Sequence, residues 1–176
     1  MKMRMKEILI SEEKIQSRVA EMAAELRNEY EGKNPLILCV LKGSLIFTAD
    51  LVRKMDVPLE IDFIQVSSYG NSTVSSGEPT LKKVPSIDLK DRHVIVVEDI
   101  LDTGNTLSFL MKKLTEMQPA SLKLCTFIDK PERRKVPIEA DYVGYKIPDC
   151  FIVGYGLDFA EQYRGLPYIG VLGEEE

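Results

Sequence analysis

The chain has 176 residues, 44% hydrophobic and 29% charged, which suits one soluble globular domain with a real core and excludes disorder over most of its length. Its formal net charge of −5 argues against a nucleic-acid-binding surface, which needs excess Lys and Arg to neutralise phosphates. No stretch approaches the ~20 apolar residues of a membrane span. The basic start, Met1-Lys-Met-Arg-Met-Lys, runs into the polar Ser11-Glu-Glu-Lys rather than an apolar signal core, so a cytoplasmic protein is expected.

Ser11 is placed to cap a helix whose first turn holds Glu12 and Glu13, and Ile15, Val19, Met22 and Leu26 mark one apolar face of it. Gly32 and Pro35 end that helix. The continuous apolar run Leu36-Ile-Leu-Cys-Val-Leu41 has the pattern of a strand covered on both faces. Lys42-Gly-Ser44 turns into a helix from Leu45 to Lys54, and Pro58 opens a strand from Leu59 to Val66. The stretch from Ser67 to Pro79 consists almost wholly of loop residues; a loop this long in a compact domain is functional or mobile, the other reading being a frayed hairpin tip.

His93 to Glu98 reads as a third strand. Asp99 to Asn105 turns into a helix with Leu107, Leu110, Met111, Leu114 and Met117 on one face, stopped by Pro119. Ser121 to Ile128 is a fourth strand, and Asp129 to Ile138 a charged, proline-bounded connection. Short strands at Tyr142 to Lys146, Phe151 to Val153 and Tyr168 to Leu172 follow, with Glu174-Glu-Glu176 a solvated end. Strands alternating with helices give an α/β fold with a mainly parallel central sheet flanked by helices, in which ligands bind beyond the carboxyl ends of the strands. Cys39, Cys125 and Cys150 form no CxxC pair, and His93 is the single histidine, so the thiols read as structural and zinc has few ligands.

The stretch Val94-Ile-Val-Val-Glu-Asp-Ile-Leu-Asp-Thr-Gly-Asn-Thr-Leu107 carries chemistry. Its apolar strand delivers Glu98, Asp99 and Asp102 to one end. Thr103, Gly104, Asn105 and Thr106 then open a helix, and their backbone N–H groups, hydroxyls and amide, with the helix dipole, suit a phosphate monoester. Gly104 allows close approach of backbone to ligand. There is no Gly-Lys-Ser/Thr ending, so nucleotide hydrolysis is not indicated. The carboxylates suit sugar hydroxyls or a hard cation such as Mg²⁺. Phosphate on one side and a diol on the other describe a ribose 5-phosphate; an acidic N-cap cluster on a strand-to-helix turn is the alternative.

Residues Val96 to Thr106 resemble the phosphoribosyl-pyrophosphate signature of type I phosphoribosyltransferases: two hydrophobics, Glu-Asp, two hydrophobics, Asp-Thr-Gly-x-Thr. Leu41-Lys42-Gly43, Ser68-Tyr69, Lys130, and Phe151-Ile-Val-Gly-Tyr-Gly-Leu-Asp158 followed by Arg164 resemble the hypoxanthine-guanine branch, the likeness covering roughly residues 35 to 172. Asn105 departs from the lysine often found there. The resemblance implies a single domain over residues 1–176, with a core at about 35–150 and a small hood from about 1–15 and 150–176. It also implies transfer of a phosphoribosyl group from phosphoribosyl pyrophosphate to a 6-oxopurine, with Mg²⁺, in a homodimer or homotetramer.

By the same resemblance Asp102 is the acid–base residue near purine N7. Glu98 and Asp99 hold the ribose hydroxyls, partly through Mg²⁺, and Asp158 holds a second Mg²⁺. Lys42, Gly43 and Arg164 meet pyrophosphate, Thr103 to Thr106 the 5-phosphate, and Lys130 the purine 6-oxygen. Phe151 stacks on the ring, with Ile152 and Asp158 beside its 2-position. Ser68-Tyr69 belongs to a loop expected to act as a lid that excludes water. Two competing readings are a regulator that binds the sugar phosphate without turnover and a transferase for another base, xanthine foremost. Joint retention of Asp102, Lys42, Ser68-Tyr69 and Lys130 disfavours the first.

Overall fold

The computed structural model describes residues 2–67 and 78–175. Ser68, Tyr69 and most of the expected lid lie outside the described residues.

Helix α1 (Glu12–Tyr30) starts where Ser11 Oγ accepts the Lys14 N–H at 3.3 Å, and Ile15, Val19, Met22 and Leu26 are buried as the spacing requires. Strand β2 (Leu36–Val40) is buried at every position. It leads to α2 (Leu45–Met55), then β3 (Glu60–Ser67), β5 (His93–Leu101), α3 (Asn105–Thr115), β6 (Ser121–Asp129) and β7 (Tyr142–Lys146). Together with β4 (Thr80–Lys83) these strands form a six-stranded sheet, β4-β3-β2-β5-β6-β7, parallel except for the antiparallel edge strand β4.

Side chains alternate across this sheet, so one strand feeds two cores. Ile37, Ile95, Val97, Cys125 and Phe127 pack with residues of α1 and α2 such as Val19, Leu26, Phe47 and Leu51. Leu36, Leu38, Val94, Val96 and Leu124 pack on the other face with Leu107, Leu110 and Leu114 of α3. Covering both faces explains why β2 and β5 read as unbroken apolar runs rather than alternating ones.

The chain ends build a second, three-stranded antiparallel sheet from β1 (Met3–Ile10), β9 (Ile169–Glu174) and β8 (Ile152–Val153), in the order β1-β9-β8. This sheet and the turn after β8, whose Gly156 meets the Gly43 carbonyl beyond β2, are termed the hood. Strand β1 was not expected from sequence: its Met-Arg-Met-Lys start alternates, but a register shift between Met5 and Glu7 breaks the pattern after only a few residues. Strand β4 was missed because it is four residues long with no buried position. Glu174, expected in a solvated tail, pairs with Met3 as the last residue of β9. Strand β5 runs on to Leu101, past the expected turn at Asp99, because Ile100 and Leu101 continue the ladder to Ile128 and Asp129 of β6. Among the described residues no helix is long and apolar enough to cross a membrane.

Candidate active site

The central strands β2, β5 and β6 deliver Lys42, Glu98 to Asp102, and Lys130 to one end of the sheet. Beyond β2 the Leu41-Lys42 peptide is cis. A Cβ on Gly43 would fall 1.8 Å from Asp99 Oδ2, and one on Gly156, whose φ is +96°, would fall 2.1 Å from the Gly43 carbonyl oxygen. The β2 loop, the end of β5 and the hood therefore meet with no space for a side chain at either glycine.

Glu98 and Asp99 are adjacent and partly buried. Glu98 Oε1 accepts the Asp99 N–H at 2.9 Å, and Asp99 Oδ1 accepts the Ile100 N–H at 2.7 Å. Burial, and then the charge of Asp99, push the Glu98 carboxyl well above its ordinary range. Burial likewise pushes Asp99 up, against the pull of its hydrogen bonds and of Arg164. Neither carboxylate forms an ion pair among the described residues. Two like charges without a counter-ion at a strand end form a site that favours a cation or hydroxyl donors.

Asp102 Oδ1 accepts the Thr103 N–H at 2.6 Å. Gly104, with φ +85°, caps α3; a Cβ there would lie 2.4 Å from Ile138 Cγ2. No acidic residue stands in the first turn of α3, and the Asn105 N–H makes only a long bond, 3.4 Å, to Thr103 Oγ1, so the start of the helix favours an anion.

Lys130 is 7% exposed, and its Nζ donates to the Cys150 carbonyl at 2.5 Å. It lines a cleft of about 480 Å³ together with Asp99, Asp102, Phe151, Ile152 and Asp158. Phe151 is half exposed and meets Phe159 edge-on at 5.7 Å, leaving ring surface toward the cleft. Arg164 donates to the Gly156 carbonyl at 2.7 Å and lies 3.4 Å from Asp158 and 3.3 Å from Glu161. Lys42 lies 3.2 Å from the other oxygen of Glu161. Six expected residues thus share the cleft. Lys42, Gly43 and Arg164 border it through Asp99 and Asp158, while Thr103 to Thr106 form a separate pole at the start of α3.

Four residues in this region were not expected. Arg133 lines the cleft, 3.9 Å from Asp102 Oδ2 and 3.4 Å from Asp149. Arg134 pairs with the buried Asp129 and donates to the carbonyls of Ile138 at 3.1 Å and Asp102 at 3.4 Å. The Lys135 N–H donates to Thr103 O at 2.9 Å. The fourth is Glu161. In sequence, Asp129-Lys-Pro-Glu-Arg-Arg-Lys135 looks like a solvated connection. The available signal was the apolar strand running straight into Asp129 and Lys130, which buries both.

Residues 6–160 match the phosphoribosyl transferase domain family. The chain is 52% identical to the hypoxanthine-guanine phosphoribosyltransferase of Bacillus subtilis (strain 168), covering 98% of this chain and 96% of that one. A bifunctional protein TilS/HprT of Listeria monocytogenes serotype 4b is also 52% identical, over 96% of this chain but only 26% of that longer protein. A crystal structure of a hypoxanthine-guanine phosphoribosyltransferase from Bacillus anthracis superposes with a TM-score of 0.91 at 45% identity, covering 98% of this chain and 100% of that one. A fold with the segment from Val96 to Thr106 at the tip of its third parallel strand, together with similarity at this level over nearly the whole chain, means that the chain belongs to the phosphoribosyltransferase family.

Proposed function

We propose that the chain is a purine-salvage enzyme that moves the 5-phosphoribosyl group of phosphoribosyl pyrophosphate to N9 of hypoxanthine or guanine, releasing pyrophosphate. The observation that carries the base assignment is the buried Lys130 ammonium, held by the Cys150 carbonyl inside a cleft it shares with Asp102 and Phe151. A fixed donor at that place suits a 6-oxygen. Adenine would oppose it with an amino group, and a site built around one polar contact rejects the analogue that cannot make it.

The chemistry forms the N9–C1′ bond and breaks the bond from C1′ to the pyrophosphate oxygen. Asp102 takes the proton shared with N7 as the new bond forms. Glu98 and Asp99 hold the ribose hydroxyls and stabilise positive charge growing on the ribose ring. Lys42, the amides around Gly43, and Arg164 receive the leaving group; Thr103 to Thr106 hold the 5-phosphate. Phe151 stacks on the base, with Ile152 and Asp158 beside its 2-position. Ser68 and Tyr69 belong to the closing loop of this reading.

The residues fit Mg²⁺. Glu98 and Asp99 lack a counter-ion and are destabilised as anions. No group of three or more metal-ligating side chains occurs among the described residues. That agrees with an ion that takes one or two carboxylates and completes its shell with substrate oxygens and water. When bound, it neutralises phosphate charge. Asp158, shared with Arg164, is the proposed ligand for a second ion. A cytoplasmic setting fits three free thiols.

Steady-state kinetics of Lys130→Gln test the assignment. The variant should lose about 100-fold or more in kcat/KM for hypoxanthine while its KM for phosphoribosyl pyrophosphate stays nearly unchanged. Unchanged hypoxanthine kinetics would remove Lys130 from the base site.

A further inference from the structure

The two cations assigned to pyrophosphate are not free. Glu161 bridges them, with Oε2 3.2 Å from Lys42 Nζ and Oε1 3.3 Å from Arg164 Nη2. The bridge joins segments 119 residues apart in the chain. The turn that presents it is wound tightly. Ala160, Glu161 and Tyr163 all have positive φ (51°, 65° and 76°), a conformation uncommon for residues with side chains. The turn is held by the Phe159–Gln162 bridge and by the Glu161 N–H, which donates to Asp158 Oδ2 at 2.9 Å. Backbone strain of this kind persists only where the surroundings impose it. Here the outcome is one carboxylate with an oxygen on each cation.

We propose that Glu161 is a built-in stand-in for the leaving group: its carboxylate occupies the Lys42 and Arg164 cations until pyrophosphate, or the pyrophosphate arm of the substrate, displaces it. This rests on the reading of Lys42 and Arg164 as the pyrophosphate cations. Glu161 and Lys42 are solvent-exposed and Arg164 is partly buried, and the carboxylate that joins them faces water, so each ion pair is weak and readily exchanged. That is what a displaceable counter-ion requires. Without it, Lys42 would have no carboxylate partner among the described residues and Arg164 only Asp158, so the polyanionic product would meet less competition. With it, returning carboxylate offsets the loss of each contact as pyrophosphate departs. Glu161 therefore lowers pyrophosphate affinity, where a residue that merely builds the site would raise it. Nothing in the sequence separated it from any other surface glutamate.

The test is titration of pyrophosphate in Mg²⁺ buffer into the wild type, Glu161→Gln, Lys42→Gln and the double variant, at low and high salt. Gln keeps the shape and removes the charge. Glu161→Gln should bind pyrophosphate about three- to tenfold more tightly at low salt, with the gain shrinking in high salt. Product inhibition by pyrophosphate should strengthen in parallel. In the Lys42→Gln background the same substitution should bring a clearly smaller gain, because one of the two competing contacts is already gone. Unchanged or weaker binding by Glu161→Gln, beside a Lys42→Gln that does bind more weakly, would overturn the stand-in role alone. A Lys42→Gln that binds pyrophosphate as the wild type does would overturn the cation assignment beneath it.

Discussion

At Glu98 and Asp99, two carboxylates share the tip of β5 with no cation to separate them. Their raised proton affinity is a stability statement. An acid whose folded pKa exceeds its unfolded one adds no penalty at low pH, and destabilises the fold as pH rises above the unfolded value. Glu98→Gln should therefore raise the melting temperature of the ligand-free protein at neutral pH by about 2–4 °C, the equivalent of ~1 kcal/mol in a domain of this size. The difference should vanish near pH 3, where both carboxyls are protonated, and the variant should bind phosphoribosyl pyrophosphate and Mg²⁺ less well. A variant less stable than the wild type at neutral pH would contradict the cost assigned to burying this charge beside Asp99. These acids were legible in the sequence because the segment from Val96 to Thr106 packs so much chemistry into so few residues. Glu161 was not legible, because its meaning depends on two cations brought to it by distant segments.

The segment after β6 works as a strap. The Lys130 N–H donates to Leu101 O and the Lys135 N–H to Thr103 O, each at 2.9 Å, and Arg134 holds the Asp102 carbonyl and the Asp129 carboxylate. Ile138 and Val136 close against Gly104. The strap thus fixes the backbone of the proposed acid–base residue from below. Arg134→Met leaves Asp129 buried without its partner, which should destabilise the protein by about 3–5 kcal/mol. Adding Asp129→Asn should recover much of that loss in thermal unfolding. No recovery would mean that the arginine acts through packing alone. Elements with strong apolar periodicity, α1 and the central strands, were readable because burial on one or both faces writes itself into the pattern. The strap, β1 and β4 were not. The strap and β4 are mostly polar and β1 loses its alternation after a few residues, and all three are ordered by partners on other elements rather than by local preference.

At the scale of the whole molecule, the hood is latched to the parallel core. Tyr155, in the turn after β8, donates from its hydroxyl to Asp50 Oδ2 of α2 at 2.6 Å, and Gln16 of α1 donates to the same oxygen at 3.1 Å. Burial alone would raise the Asp50 pKa, but the hydrogen bonds from Tyr155, Gln16 and Arg53 outweigh it and hold the carboxyl below its usual range. A depressed acid stabilises the fold above its unfolded pKa and loses that contribution as pH falls through the folded value. Tyr155→Phe should thus lose about 1–2 kcal/mol at pH 7. The gap from the wild type should narrow below about pH 4, as Asp50 protonates in both proteins. A gap independent of pH would point to packing instead. The latch sets the segment from Phe151 to Asp158, proposed to hold the base, beside the ends of β5 and β6, and so completes the cleft.

The most direct test is a spectrophotometric assay of the purified protein with phosphoribosyl pyrophosphate, Mg²⁺ and one base at a time. The cleft around Lys130 predicts nucleoside monophosphate from hypoxanthine or guanine, none from adenine, and no turnover once the metal is chelated. Product from adenine but not from hypoxanthine would contradict it.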